Sequence, residues 1–357
     1  MKICFFIYNI SNAGGSERVS IVIANELKKR GYDVSILSVC GKESFYEINT
    51  DIPIEIIYKG ENNISSKNKY LDILKNAYRY HKRNKTDIVI DVFASRSLIS
   101  IPLKLFLKIK NITWEHFNYS AKIGLNPLGR KLACRYSNKI ITLTSEDISL
   151  YKEDNRNIKA DIEYIYNPNP YEGSEVSDLN NNNVITVGRL SNQKGYDMLL
   201  DAWEIVEKSC DFKLIIVGDG EEKESLKKKA SDLNLKNVEF LGVTNDVQKF
   251  YKKSSIYVSS SRFEGLPMCM IEAQSFGLPI VSFKCKTGPS EIIEDTISGY
   301  LVENGDYKML AEKLLLLIND RELLKKMSFE ARNQSYRFNI NSIINKWEDI
   351  INGIYEK

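Results

Sequence analysis

The chain is predicted to form two doubly wound α/β domains of parallel strands that face each other across a cleft, and three observations carry that prediction. Short apolar runs alternate with amphipathic stretches along most of the sequence, the pattern of βαβ units. A polar run rich in Asn, Ser and acidic residues, opened by Asn167-Pro168-Asn169-Pro170, interrupts the alternation near the middle. The 357 residues also suffice for two separate cores.

The first domain is expected over 1–168, with strands at 2–8, 33–39, 87–92, 110–115, 139–143 and 162–166. The helix after the first strand takes Ser16 as its N-cap, sets Val19, Val22, Ile23 and Leu27 on one face and stops at Gly31. Residues 169–183 read as a linker. The second domain, 184–335, has strands near 184–187, 213–217, 237–241, 255–259, 279–282 and 299–302. The tail, 336–357, carries a helix from Ile340 to Tyr355 with Ile343, Ile344, Trp347, Ile350 and Ile351 on one stripe.

Charged residues at 27% and apolar residues at 43% belong to a soluble globular protein. The six cysteines are scattered, without a C-x-x-C pair or metal spacing, which argues for a reducing compartment and against a structural zinc. The apolar start is too short for a signal peptide, and no apolar run reaches the ~18 residues of a membrane span. Charge is uneven: residues 1–166 hold 26 Lys and Arg against 18 Asp and Glu, net +8, while the remainder holds 24 against 29, net −5. Basic and acidic halves suggest different partners.

The most informative stretch is Ser259 to Glu272. An apolar strand leads into Arg262-Phe263-Glu264-Gly265-Leu266-Pro267, and a helix is expected to begin at Pro267. Glu272 then lies roughly 7 Å along that helix, within side-chain reach of anything bound at its start. A helix start offers free N–H groups to an anion, and carboxylates suit hydroxyls. A ligand with phosphates and many hydroxyls, such as a nucleotide sugar, needs both.

Three further segments sit at carboxyl ends of expected strands, where open α/β sheets bind ligands. Gly188-Arg189-Leu190-Ser191-Asn192-Gln193-Lys194-Gly195 brings two cations, Arg189 and Lys194, that can converge on a dianion. Gly14-Gly15 lets the backbone approach a phosphate or sugar closely, though neither a G-x-G-x-x-G fingerprint nor a P-loop lysine accompanies it. His116 ends a first-domain strand and can serve as a hydrogen-bond partner or proton handler, whereas His81 falls in a Lys/Arg-rich helix and is expected in solvent. No D-x-D occurs among the nineteen aspartates, so charge developing on a leaving diphosphate falls to Arg189, Lys194 and helix-terminal N–H groups, with neither metal nor cofactor.

Together these residues resemble glycosyltransferase family 4, the retaining enzymes of the GT-B fold, in which two Rossmann-like domains face across a cleft. Four elements match: Gly14-Gly15-x-Glu17-Arg18, the His116 segment, G-R-L-x-x-x-K-G at 188–195 and the E-x7-E motif from Glu264 to Glu272. The resemblance implies that Arg189 and Lys194 hold the diphosphate of a nucleotide-sugar donor, most often UDP-linked. It implies that Glu272 binds the ribose and Glu264 the hydroxyls of the transferred sugar, with the N–H groups of Gly265 and Leu266 assisting. Gly14 and Gly15 would approach the diphosphate, His116 would meet the hexose or acceptor, and the tail helix would cross back to the first domain.

In this family the first domain takes the acceptor, and here it is the basic half. Lys67, Lys69, Lys75, Arg79, Lys82, Arg83 and Lys85 share a stretch with Tyr70, Leu71, Leu74, Tyr78 and Tyr80, followed by Leu98, Ile101, Leu105 and Phe106 among Lys104, Lys108 and Lys110. A basic, partly apolar face suits an anionic membrane surface. The expectation is a lipid-linked saccharide acceptor and a cytoplasmic protein peripheral on the inner membrane face. The alternatives are a same-fold transferase on a protein or small soluble acceptor and a UDP-sugar epimerase. No helix-turn-helix, RNP or zinc pattern supports nucleic-acid binding.

Overall fold

A computed structural model gives the structure of the protein and describes residues 1–58, 67–120, 123–155, 157–244 and 246–356. The chain divides into two compact units: 1–167 with 341–357, and 168–340.

The first unit is built on a parallel sheet of β1 (Lys2–Asn9), β2 (Asp33–Cys40), β3 (Ile54–Ile56), β4 (Ile88–Val92), β5 (Lys110–Trp114), β6 (Lys139–Thr142) and β7 (Asp161–Tyr164), in the order β3-β2-β1-β4-β5-β6-β7. Ile3, Cys4, Phe5 and Phe6 are all fully buried, so β1 is covered on both faces, as a parallel sheet between helices requires. The edge strand β3 escaped the sequence reading because three half-buried residues are too short to show a period. The first helix, Gly15–Lys29, starts earlier than expected: its N-cap is Gly14, not Ser16, whose hydroxyl bonds the Glu17 carboxylate at 2.7 Å instead of a backbone N–H. Gly31 follows its end with φ +91°, where glycine is favoured. The tail helix Ile340–Tyr355 lays Ile343, Ile344, Trp347, Ile350 and Ile351 against this unit, with Trp347 edge-on to Trp114 at 4.8 Å.

The second unit holds β8 (Asn183–Val187), β9 (Lys213–Val217), β10 (Val238–Gly242), β11 (Ile256–Ser259), β12 (Ile280–Phe283) and β13 (Gly299–Val302), parallel and ordered β10-β9-β8-β11-β12-β13. Residues 169–183, whose composition marks a linker, are fastened to this unit: Asn169 N–H donates to Phe338 O (2.8 Å), Ser177 Oγ to Ser254 O (2.6 Å) and Arg321 to Leu179 O (2.9 Å). Among the described residues no helix is long and apolar enough to cross a membrane, and all six cysteines are free thiols.

Candidate active site

Each sheet reverses its strand order once, and open α/β sheets take ligands outside the strand ends at such a reversal. In the second unit the reversal lies between β8 and β11, and the two loops that leave those strands carry the basic and acidic motifs. The loop after β8 turns at Gly195, with φ +62° and so little room that a Cβ would fall 2.2 Å from Ser260 O. Any side chain there would push the two loops apart. Close contact of the loops brings Lys194 Nζ to 2.6 Å from Glu264 Oε1, both side chains largely buried. Burial opposes the charge on Lys194, but the Glu264 carboxylate outweighs it and raises the ammonium above its ordinary range.

Glu264 is held from several sides. Ser261 Oγ donates to Oε1 at 2.6 Å, Gln193 Nε2 reaches Oε2 at 3.4 Å, and its N–H and C=O bond Lys286 O and Thr287 N at 3.0 Å each. The helix it precedes runs Met268–Ser275. Pro267 is its extended N-cap rather than its first residue, with φ −70° and ψ 105°. Glu272, 4% exposed, accepts from Tyr251 Oη at 3.1 Å, and burial followed by the Glu272 charge drives that phenol well above its usual range. No described residue accepts from the N–H of Gly265 or Leu266. Burial raises the Cys269 thiol above its ordinary range, with the Lys194 ammonium acting the other way.

Arg189 does not join them directly. Its guanidinium is mostly in solvent and pairs with Glu221 at 3.0 Å.

In the first unit Gly14 and Gly15 stand where β1 gives way to its helix. A Cβ at Gly14 would meet Glu17 Oε2 at 2.3 Å, whereas one at Gly15 meets nothing within 4 Å. The side of the turn facing Gly15 is the open one. His116, two residues beyond β5, is wedged against Trp114 (4.2 Å) and Phe93 (5.2 Å), with Nε2 buried and unpartnered. Burial pushes its pKa down to about 3. The ring is therefore neutral near pH 7, which suits a hydrogen bond to a hydroxyl and makes it a poor proton acceptor. His81, expected in solvent, is instead 1% exposed with Nδ1 3.1 Å from Thr86 Oγ1. It lies on the face of helix Lys67–Asn84 that turns to the sheet, and burial lowers its pKa to about 4.

The second-unit loops can offer a cation and two carboxylates to a ligand with phosphates and hydroxyls, and comparison with known proteins gives the family. The family model described as "Glycosyltransferase Family 4" matches residues 13–169, and that described as "Glycosyl transferases group 1" matches 171–334. An uncharacterised glycosyltransferase of Haemophilus influenzae is 39% identical over 355 residues, covering 98% of this chain and 99% of the relative. The chain belongs to glycosyltransferase family 4. A further relative of this glycosyltransferase, 29% identical over 98% of both chains, is the Campylobacter jejuni alpha-1,4-N-acetyl-D-galactosaminyltransferase named for its acceptor, GalNAc-alpha-(1->4)-GalNAc-alpha-(1->3)-diNAcBac-PP-undecaprenol. In fold it is similar to Anabaena HepE solved in complex with UDP-glucose, with TM-score 0.82 and 19% identity over 99% of this chain and 100% of that one.

Several supporting residues of the glycosyltransferase were not singled out from sequence. Ser261 and Gln193 sit inside the quoted motifs, but nothing in a motif says which member turns inward. Tyr196, buried beneath the same loop, follows Gly195 directly. Tyr251 comes from a different helix, so no local spacing points to it.

Proposed function

We propose that the chain is a retaining, metal-independent transferase that moves a hexose or N-acetylhexosamine from a UDP-sugar to a lipid-linked saccharide in bacterial surface polysaccharide or glycan assembly. The observation that carries this reading is the buried Lys194–Glu264 pair at the strand reversal, with Glu272 a short way along the following helix. An ammonium has three donors, and Glu264 occupies one. Lys194 can therefore hold a diphosphate oxygen while still orienting Glu264 toward a sugar hydroxyl. Arg189, exposed and tied among the described residues to Glu221 alone, is free to swing onto the same diphosphate, since such a surface pair contributes about 0–1 kcal/mol. Glu272 supplies a ribose contact, and Gly265 and Leu266 supply N–H groups.

In this mechanism the donor C1–O bond breaks as the acceptor oxygen bonds C1 on the same face. The departing phosphate oxygen takes the acceptor proton, and UDP leaves. Lys194, Arg189 and the loop N–H groups stabilise its growing charge. Neutral His116 holds a hydroxyl in place. The acceptor class is supported by the Campylobacter relative and the UDP-linked donor by the HepE complex. Absence of D-x-D supports a metal-free step.

Peripheral attachment to the inner face of the membrane is part of the same proposal. Leu71, Leu105 and Phe106 of the first unit are 59%, 82% and 73% exposed, and Lys75, Arg79, Lys82 and Lys108 are exposed nearby in sequence. Lys104 does not contribute, because its ammonium bonds Tyr136 O and Asn138 Oδ1 at 2.7 Å each, and the side chain of Lys67 lies outside the described residues. At ~1 kcal/mol per cation near an anionic surface, salt-sensitive flotation with anionic liposomes should be lost in a Lys75/Arg79/Lys82→Ala variant.

The deciding assay is transfer from a panel of UDP- and GDP-sugars to undecaprenyl-diphosphate saccharides in EDTA, with the product anomer read by NMR. An inverted anomer, abolition by EDTA, or transfer confined to protein or small soluble acceptors would overturn the corresponding part of the proposal.

A further inference from the structure

The sheet of the first unit reverses between β1 and β4. Gly14 and Gly15 lie just beyond β1, and just beyond β4 comes the short turn Ala94–Arg96. The Arg96 guanidinium lies over the Tyr8 ring at 5.0 Å and the Phe6 ring at 5.9 Å, both on β1, so it spans the reversal. It forms no salt bridge among the described residues. Its Nε is buried without a partner among the described residues, where the guanidinium's one hydrogen bond is a long one, 3.4 Å to Ser95 Oγ. Asp91 acts on it electrostatically but makes no ion pair with it, and commits Oδ2 to Ser97 (2.8 Å), Ser100 and Asn111 (2.7 Å). A guanidinium partly withdrawn from water without a salt-bridged acid is costly, and ring contacts return only part of that. Burial accordingly pulls its pKa below the usual range.

The loop is constructed to keep Arg96 there. Phe93 takes φ +75°, a conformation a bulky residue adopts only when its surroundings impose it. Its N–H bonds Trp114 O (2.9 Å), Arg96 N–H bonds Phe93 O (3.0 Å), and Ser95 N–H bonds Asn126 Oδ1 (3.0 Å). The helix Asn126–Tyr136 closes so tightly on the turn that a Cβ at Gly129 would fall 2.0 Å from Ala94 O.

We propose that Arg96 binds a phosphate group of the acceptor, its planar fork taking two oxygens of the sugar-1-diphosphate at the β1/β4 reversal. The inference rests on the lipid-linked acceptor proposed above. The donor diphosphate has its own cations in the second unit, whereas Arg96 belongs to the half with net +8 over residues 1–166.

The test compares wild type, Arg96→Gln and Arg96→Lys on one saccharide carried either by a short prenyl diphosphate or by a neutral octyl aglycone. The expected result for Arg96→Gln is a 10- to 100-fold rise in acceptor KM on the diphosphate substrate, with partial rescue by Arg96→Lys. The neutral acceptor, the donor KM and acceptor-independent donor hydrolysis should stay within 2-fold. Because a partly buried cation with no salt bridge among the described residues has been removed, Tm should hold or rise. Equal losses on both acceptors, a raised donor KM, or a fall in Tm without the acceptor effect would overturn the assignment. If wild type transfers to no diphosphate acceptor, the proposed acceptor class fails and a second measurement still decides Arg96. Inorganic pyrophosphate is titrated calorimetrically into enzyme saturated with UDP: binding lost in Arg96→Gln supports the anion site, and binding absent or unchanged refutes it.

Discussion

In the second unit, the sheet reversal between β8 and β11 holds an acid and a base that satisfy each other, Lys194 and Glu264. In the first unit, the equivalent place between β1 and β4 holds Arg96, with no ion-pair partner among the described residues, and an acid, Glu17, folded over Gly14. The scaffold is the same and the charge is arranged differently. A buried pair keeps its geometry whether or not a ligand is present, because separating it leaves two charges out of water. A lone guanidinium is instead stabilised by an anion that arrives. One sheet plan can thus present either a paired acid and base or a cation without a salt bridge, and side chains in the two loops at the reversal decide which.

The largest effect is expected from removing one half of the buried pair. Lys194→Ala should lower kcat/KM by about 10²–10³, the cost of one preorganised group facing developing charge. It should also destabilise the free enzyme by about 3 kcal/mol, because Glu264 is left buried without its cation. Denaturant unfolding without substrate, set beside steady-state kinetics, checks both. Lost activity with unchanged stability would mean that the pair is not preorganised.

Glu272→Gln is next. It keeps shape and most hydrogen bonding and removes one charge; if Glu272 makes the proposed ribose contact, donor KM should rise about 10-fold with a smaller change in kcat, since such a contact would be equally present in ground and transition states. An equal fall in kcat would move Glu272 from donor binding into the chemical step.

Much of this was legible in the sequence, for reasons that differ by region. Buried parallel strands announce themselves as continuous apolar runs, and the expected strands agree with those observed to within about two residues, as boundary fraying allows. Only β3 was missed. The E-x7-E and G-R-L-x-x-x-K-G motifs mark the second-unit candidate site because its members lie in two short loops and the helix that follows one of them. What stayed hidden is direction. Sequence supplies Arg189 and Lys194 as equals, but a left-handed Gly195 turns only Lys194 onto Glu264, and Arg189 stays in solvent with Glu221. His81 was misplaced because Lys82, Arg83 and Lys85 surround it in sequence, while helical periodicity sets it on the inward face with Ala77 and Tyr80. Arg96 belongs to no motif, and only the strand order reveals its position.

The units should also separate under acid. Both histidines lie in the first unit and are lowered by burial, His81 to about 4 and His116 to about 3. With folded pKa values depressed, the unfolded chain takes up protons first. Their contribution is complete above pH ~6.5 and is lost as pH falls toward those values, about 3 kcal/mol for His81 alone. Asp91, raised to about 6 by burial, works in the opposite sense: the folded state binds its proton first, so acidification below pH 6 returns part of the loss. Hydrogen exchange at pH 7 and pH 5 should show protection falling more in the first unit than in the second. Asp91→Asn should steepen that loss and His81→Gln should flatten it. Equal losses in both units would sink the account.

The smallest expected effect sharpens the role of Arg189. Its bond to Glu221 is exposed on both sides, so breaking it should change stability by less than about 0.5 kcal/mol. If the guanidinium leaves Glu221 to meet the donor diphosphate, Glu221→Ala removes a competitor and should lower donor KM about 2-fold. Arg189→Ala should raise it with Tm unchanged. A structural role for the pair would show the reverse, with both variants losing Tm together and neither moving KM. The double variant distinguishes the cases, since competition predicts that Glu221→Ala has no effect once Arg189 is gone.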